Sequence, residues 1–150
     1  MKSSREVPLH HIDTSVILEP INTENGRYCR RYLQKLNYNY RGKISFPALS
    51  EIQATILSVD DYNIRQDSIE TIYHLIKSRK IKFYAPKFTA HIIMEIRNID
   101  KRIEPLDREI LACSIEDKAL VLVTLDSTMI NNKHIENAFK IKIKHPKELV

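Results

Sequence analysis

The chain alternates between short apolar runs and longer stretches in which apolar residues recur every three or four positions. The short runs fall at 8–12, 43–46, 81–85, 119–124 and 139–143, and each predicts a β-strand. The longer stretches predict helices. In "NTENGRYCRRYLQKLNYN", Tyr28, Tyr32, Leu33 and Leu36 fall at helical spacing. "ALSEIQATILSV" puts Leu49, Ile52, Ile56 and Leu57 on one face, and "DSIETIYHLIKS" does the same for Ile69, Ile72, Tyr73 and Ile76. "KFTAHIIMEIRN" and "PLDREILACSIEDK" complete the set, with Pro105 suited to a first helical turn. The order is strand, helices, strand, two helices, strand, two helices, strand, short helix, strand. That alternation predicts an α/β fold, a three-layer α/β/α sandwich around a mostly parallel sheet of about five strands, in a single domain over residues 1–150.

In such a sheet, sites form at the carboxyl ends of the strands, beside a switch in strand order. Four acids fall where that edge is expected. Asp13 follows the first strand in "LHHIDTSVIL", and Glu51 sits early in the helix after the second strand, in "FPALSEIQ". Asp107 lies in the first turns of the helix before the fourth strand, and Asp126 follows that strand in "LVLVTLDSTM". If the first and fourth strands are neighbours, Asp13 and Asp126 lie side by side. Two carboxylates about 4 Å apart repel by roughly 4 kcal/mol at an effective dielectric of about 20. No Lys or Arg lies within two residues of Asp13 or Asp126. A divalent cation is the simplest counter-charge, and an all-oxygen ligand set points to Mg²⁺ or Mn²⁺ rather than Zn²⁺. Each acid alone also fits an ordinary role. Asp13 suits a helix cap, Glu51 and Asp107 suit first-turn acids, and Asp126 suits a turn or an N-cap. The case rests on the four together.

Composition narrows the picture. Of 150 residues, 43% are hydrophobic, but no apolar run approaches the length of a membrane span. The start, "MKSSREVPLHH", has no apolar signal core, so a cytoplasmic protein with no membrane partner is expected. The net charge of +5 modestly favours a polyanionic partner. With Gly26 and Gly42 as its only glycines, the chain has no glycine-rich phosphate loop, which weighs against a nucleotide-binding protein. Cys29 and Cys113 lack zinc-type spacing and read as buried free thiols. The six histidines show no ligand spacing, and His10 or His11 reads as a packed, hydrogen-bonded residue. Glu116 and Asp117, at the far end of the Asp107 helix, read as solvated.

The motifs "IDTSV", "LSEI" and "LDREILACSIEDKALVLVTLD", the last ending in "VTLD", resemble in order and spacing those of PIN-domain proteins. That group includes the VapC-type toxin ribonucleases and RNA-processing nucleases. The resemblance implies a PIN-like sandwich carrying an Mg²⁺- or Mn²⁺-dependent endoribonuclease. Asp13, Glu51, Asp107 and Asp126 would be the catalytic and metal-binding acids, with Ser15 and Thr124 as polar helpers that hold a metal-bound water or a phosphate oxygen. RNA is the expected substrate, an antitoxin or an RNA-processing protein the expected partner, and a homodimer the expected assembly. A non-catalytic RNA-binding or assembly module on the same fold is the alternative. The chain departs from the family in its His10-His11 pair and in lacking a dense arginine cluster near the acids. Arg30, Arg31 and Lys35, with Tyr28 and Tyr32 nearby, are the candidate RNA surface. "KIKIKHPK" alternates Lys with apolar residues as an edge strand does.

Overall fold

The computed structural model of the chain describes residues 7–150. Five strands, β1 (Leu9–Ile12), β2 (Arg41–Ser45), β3 (Lys82–Tyr84), β4 (Val121–Val123) and β5 (Lys142–Lys144), form one sheet in the order β3-β2-β1-β4-β5. Every pairing is parallel, so the sheet is wholly rather than mostly parallel. Seven helices connect the strands: α1 (Thr14–Leu18), α2 (Glu24–Leu33), α3 (Phe46–Leu57), α4 (Tyr62–Ser78), α5 (Ala90–Ile99), α6 (Pro105–Glu116) and α7 (Lys133–Phe139). A short 3₁₀ turn at Pro146–Leu149 packs back on α2. β1 stands between β2 and β4, and there the strand order reverses. The reversal sets the ends of β1 and β4 side by side, with Ile12 opposite Val123.

The central strand is buried on both faces, and two of its four residues are histidines. Successive side chains point to opposite faces. His10 reaches the Tyr32 hydroxyl of α2 at 2.7 Å through Nδ1 and stacks on the Tyr40 ring at 4.1 Å. Burial pushes its pKa down to about 4, so the ring is neutral. On the other face, His11 Nε2 lies 2.8 Å from Asp117 Oδ2, and Lys43 Nζ donates to that same oxygen at 2.9 Å. A carboxylate can only accept, so Nε2 carries the His11 proton. Both histidines are therefore packed and hydrogen-bonded. Asp117 and Glu116 are not the solvated acids expected from the sequence. Glu116 is held by the Tyr84 hydroxyl and accepts from the backbone N–H groups of Lys87 (2.9 Å) and Phe88 (2.7 Å). The groups that recruit these acids lie on other strands and in the loop after β3, out of reach of a local reading.

Isoleucine and leucine fill the space between sheet and helices, with Ile12, Ile44, Ile52, Ile96, Ile110, Leu122 and Ile143 almost wholly buried. Cys29 and Cys113 are free and buried, as expected. Two elements differ from the pattern reading. The last strand begins at Lys142 because α7 runs through Phe139 and Lys140 then turns into the left-handed region at φ 54°. Ile135 and Phe139 are four apart, so the start of the apolar alternation also fits a helix. α4 has the expected apolar stripe, but none of its 17 residues is buried. Ile69, Ile72, Tyr73 and Ile76 line a groove of about 640 Å³ between α3, α4 and β3. Among the described residues, no helix is long and apolar enough to cross a membrane.

Candidate active site at the carboxyl end of the sheet

Each of the four acids is delivered by a local device. Asp13 ends β1 in extended backbone at the N-cap position of α1, yet its side chain makes no cap hydrogen bond. It turns towards β4, where its Oδ2 accepts from Ser15 Oγ and from Thr124 Oγ1, each at 2.8 Å. Its other oxygen, Oδ1, is buried and has no partner. Burial raises the Asp13 pKa, opposed by the Ser15 and Thr124 hydroxyls and by the backbone N–H groups of Thr14 and Ser15. An unpaired buried carboxylate oxygen is costly, and the Asp13 charge is felt by Glu51 and Asp107.

Glu51 stands in the second turn of α3. That helix starts where Ser45 Oγ accepts from Ala48 N, and Thr14 ties it to α1 by donating to the Ala48 carbonyl at 3.2 Å. Burial and the negative charge of Asp13 raise the Glu51 pKa. Asp107 lies in the first turn of α6, behind Pro105. Its pKa is pushed up to about 7, first by burial, then by a shared hydrogen bond with Asp126, and then by the charges of Asp13, Asp126 and Glu51. Asp126 occupies the turn after β4, half-buried, with Oδ1 accepting from Thr128 N at 2.8 Å and Thr128 Oγ1 at 2.7 Å. The tertiary structure thus brings all four acids to one end of the sheet, close enough to act on one another. Among the described residues, the ion pairs of the chain involve none of them.

A divalent cation fits this donor set in kind. All the donors are carboxylate oxygens, and the unpartnered Asp13 Oδ1 is an acceptor in need of a positive partner. Among the described residues, no three His, Cys, Asp or Glu side chains already stand close enough together to grip one ion. Mg²⁺ commonly keeps several waters between itself and its ligands.

The two helper residues, Ser15 and Thr124, both donate to Asp13. Ser15 Oγ gives its proton to Asp13 and accepts from Leu125 N at 3.0 Å. Thr124 Oγ1 gives its proton to Asp13 and accepts from Asp126 N at 3.0 Å. Both hydroxyl protons are committed to Asp13, so neither is left to donate to a phosphate oxygen, while each oxygen keeps a second lone pair that a water could use. Thr128 was not singled out from the sequence. Its signal was the "DST" at 126–128, an Asp followed two residues later by a hydroxyl, as in an Asx turn.

The candidate RNA surface is not assembled with the acids. Arg30 and Arg31 are in the last turn of α2, which leads into the start of β2 at the amino end of the sheet. Tyr32, expected to stack on bases, is wholly buried against His10. Lys35 follows in the same turn region. Helical periodicity placed these residues on one helix but could not say which end of the sheet that helix would reach.

No protein-family model matches the sequence, and no curated protein does. Solved structures do match. FitAcB from Neisseria gonorrhoeae aligns over 92% of this chain and 98% of its own, with a TM-score of 0.67 and 19% identity. VapBC2 from Rickettsia felis, bound to a DNA fragment from their promoter, aligns over 91% and 98%, with a TM-score of 0.66 and 19% identity. VapBC-1 from nontypeable Haemophilus influenzae aligns over 93% and 98%, with a TM-score of 0.65 and 18% identity. The likeness is one of fold. The resemblance to PIN-domain proteins read from the sequence holds at that level: the chain has a PIN-like α/β architecture, in the manner of the VapC chains.

Proposed function

We propose that the protein is a metal-dependent endoribonuclease of the toxin type, paired with an antitoxin. The observation that carries this reading is the gathering of Asp13, Glu51, Asp107 and Asp126 with no paired cation among the described residues; burial first, and then the other three acids, push the Asp107 pKa up to about 7. A fold does not maintain such repulsion for packing. A binding module on the same fold would have no use for it, and this weighs against the non-catalytic alternative. Asp13, Asp107 and Asp126 would hold Mg²⁺ or Mn²⁺ directly or through water, with Glu51 holding the ion or orienting the attacking water. When bound, the ion supplies Lewis-acid polarisation of a phosphodiester oxygen and a water of lowered pKa.

The chain's own residues prepare that chemistry. Ser15 and Thr124 fix the Asp13 carboxylate so that Oδ1 is left as its free acceptor. The Thr124 hydroxyl also takes the Asp126 N–H, so the two strand ends are held in register with each other. The antitoxin partnership rests on the VapBC and FitAB assemblies that share the fold. It also rests on α4, whose apolar stripe this chain leaves half-exposed. RNA as substrate and a homodimer as the working assembly belong to the same reading.

The test is cleavage of a mixed RNA pool with and without Mn²⁺, followed by mapping of the ends. Cleavage that appears with Mn²⁺, stops in EDTA and is lost in Asp13→Asn supports the reading. Cleavage that persists in excess EDTA, or that Asp13→Asn leaves intact, overturns it.

A further inference from the structure

We propose that Thr128 is a positioning residue that sets the metal affinity of the site by fixing one oxygen of Asp126. This inference rests on the metal-dependent reading given above. Asp126 Oδ1 is taken twice by the same residue, by the Thr128 N–H at 2.8 Å and by the Thr128 hydroxyl at 2.7 Å. A carboxylate so held cannot rotate freely, and it meets Asp107 in a shared hydrogen bond whose place a bound cation would take. Asp13 on the neighbouring strand is arranged in the same way, with Oδ2 held by two hydroxyls and Oδ1 buried and unpartnered. Thr124 joins the two arrangements by donating to Asp13 and accepting from the Asp126 N–H. Two carboxylates, each with one oxygen fixed by two neighbouring donors, form a site whose acceptors are oriented before a cation arrives. Ligands held in this way bind more tightly, because no freedom is lost on binding and because their own partners keep them aimed.

The geometry separates Thr128 from a residue that only shapes the turn. The turn has its own backbone supports, with Met129 N and Ile130 N both donating to the Asp126 carbonyl. Met129 is also fully buried in the core. Loss of the Thr128 hydroxyl should therefore spare the turn and leave the carboxylate held only by the backbone N–H of residue 128, free to swing about that one bond.

The probe is Mn²⁺ alone, titrated calorimetrically into the metal-free full chain, with melting curves in EDTA as the control for folding. Thr128→Val should weaken Mn²⁺ binding by about 10- to 100-fold, the usual cost of losing a partner that orients a metal ligand, while Thr128→Ser should stay close to wild type. In an Asp126→Asn background, adding Thr128→Val should cost nothing more, because Thr128 acts through that carboxylate. Wild-type affinity in Thr128→Val overturns the inference. So does a Ser variant as weak as the Val variant, or a Val effect that persists undiminished in the Asn background. If the Val variant melts far below wild type, Thr128→Ala is read by the same criteria. A wild-type protein that binds no Mn²⁺ overturns the metal-dependent reading itself, and the wild-type titration alone shows which of the two has failed.

Discussion

The two ends of helix α6 carry aspartates of opposite fortune. Asp107 and Asp117 are ten residues apart, roughly 15 Å along the helix. At the C-terminal end, Asp117 meets His11 at 2.8 Å and Lys43 at 2.9 Å, and the three form a compensated cluster under the sheet. At the N-terminal end, Asp107 meets Asp126, Asp13 and Glu51, and burial together with these acids pushes its pKa up to about 7. Sheet, helix and residue type are shared. The difference is the partner that the neighbouring strands present. Where a fold uses an acid for stability it supplies a cation from its own side chains. Where it supplies none, as at Asp107, the acids repel one another, and on the reading proposed above a bound cation would supply the missing charge.

That contrast predicts opposite responses to the removal of a charge. The largest effect should come at the compensated end. Asp117→Ala leaves Lys43 and His11 without their acceptor and should destabilise the protein by about 1–3 kcal/mol, the usual cost of a stranded, partly buried polar group. Mn²⁺ affinity should not change. Denaturant unfolding together with a Mn²⁺ titration checks both, and a variant as stable as wild type would show that the Asp117 cluster is only a surface contact.

At the uncompensated end, the sign should reverse. Asp126→Asn keeps an oxygen for Thr128 but removes one charge beside Asp107. It should raise the stability of the metal-free protein, on the order of 1 kcal/mol, the scale of one pKa unit at a perturbed site. Mg²⁺ at a hundredfold excess over its dissociation constant should stabilise the wild type by about 2.7 kcal/mol and the variant much less. Melting curves in EDTA and in Mg²⁺ measure this. An Asn variant that melts below wild type in EDTA and gains equally from Mg²⁺ would make Asp126 a turn residue and nothing more.

The smallest effect is a pH dependence. Asp107 rises from 3.8 to about 7, so the folded protein keeps a proton that the unfolded chain releases within that window. Its contribution is fully present below about 4 and is lost as pH rises through about 7. His10 acts oppositely. Its pKa falls from 6.5 to about 4, so its contribution is present above 6.5 and is lost as pH falls. The two offset each other in the whole protein, and comparison with Asp107→Asn separates them. In EDTA, the variant should gain on the wild type as pH rises from 5 to 8, by an amount that the partial exposure of Asp107 keeps small. A constant difference in melting temperature across that range would show that Asp107 does not hold the proton.

Much of the fold and of the candidate site was legible in the chain itself. Period-two and period-3.6 patterns located the strands and helices within a few residues, and they placed Asp13 and Asp126 directly after apolar strands, because local spacing encodes which face of an element is buried. They failed where two periods overlap, as at Ile135, Phe139 and Ile141, and there the helix claimed Phe139. The four acids could be read as a set because each sits at a strand end or a helix start, positions that a parallel sheet must bring to one edge. What the sequence could not provide was pairing across the sheet. That β1 lies beside β4 and so joins Asp13 to Thr124, that Lys43 of β2 reaches Asp117, that Tyr32 is buried on His10 instead of meeting a base, and that Thr128 clasps Asp126 were decided by the tertiary structure. These contacts, apart from the last, join residues 22 to 111 positions apart, and no local pattern of apolar and polar residues records such a distance. Even the clasp of Asp126, only two residues long, acquires its meaning from the strand that the fold places next to it.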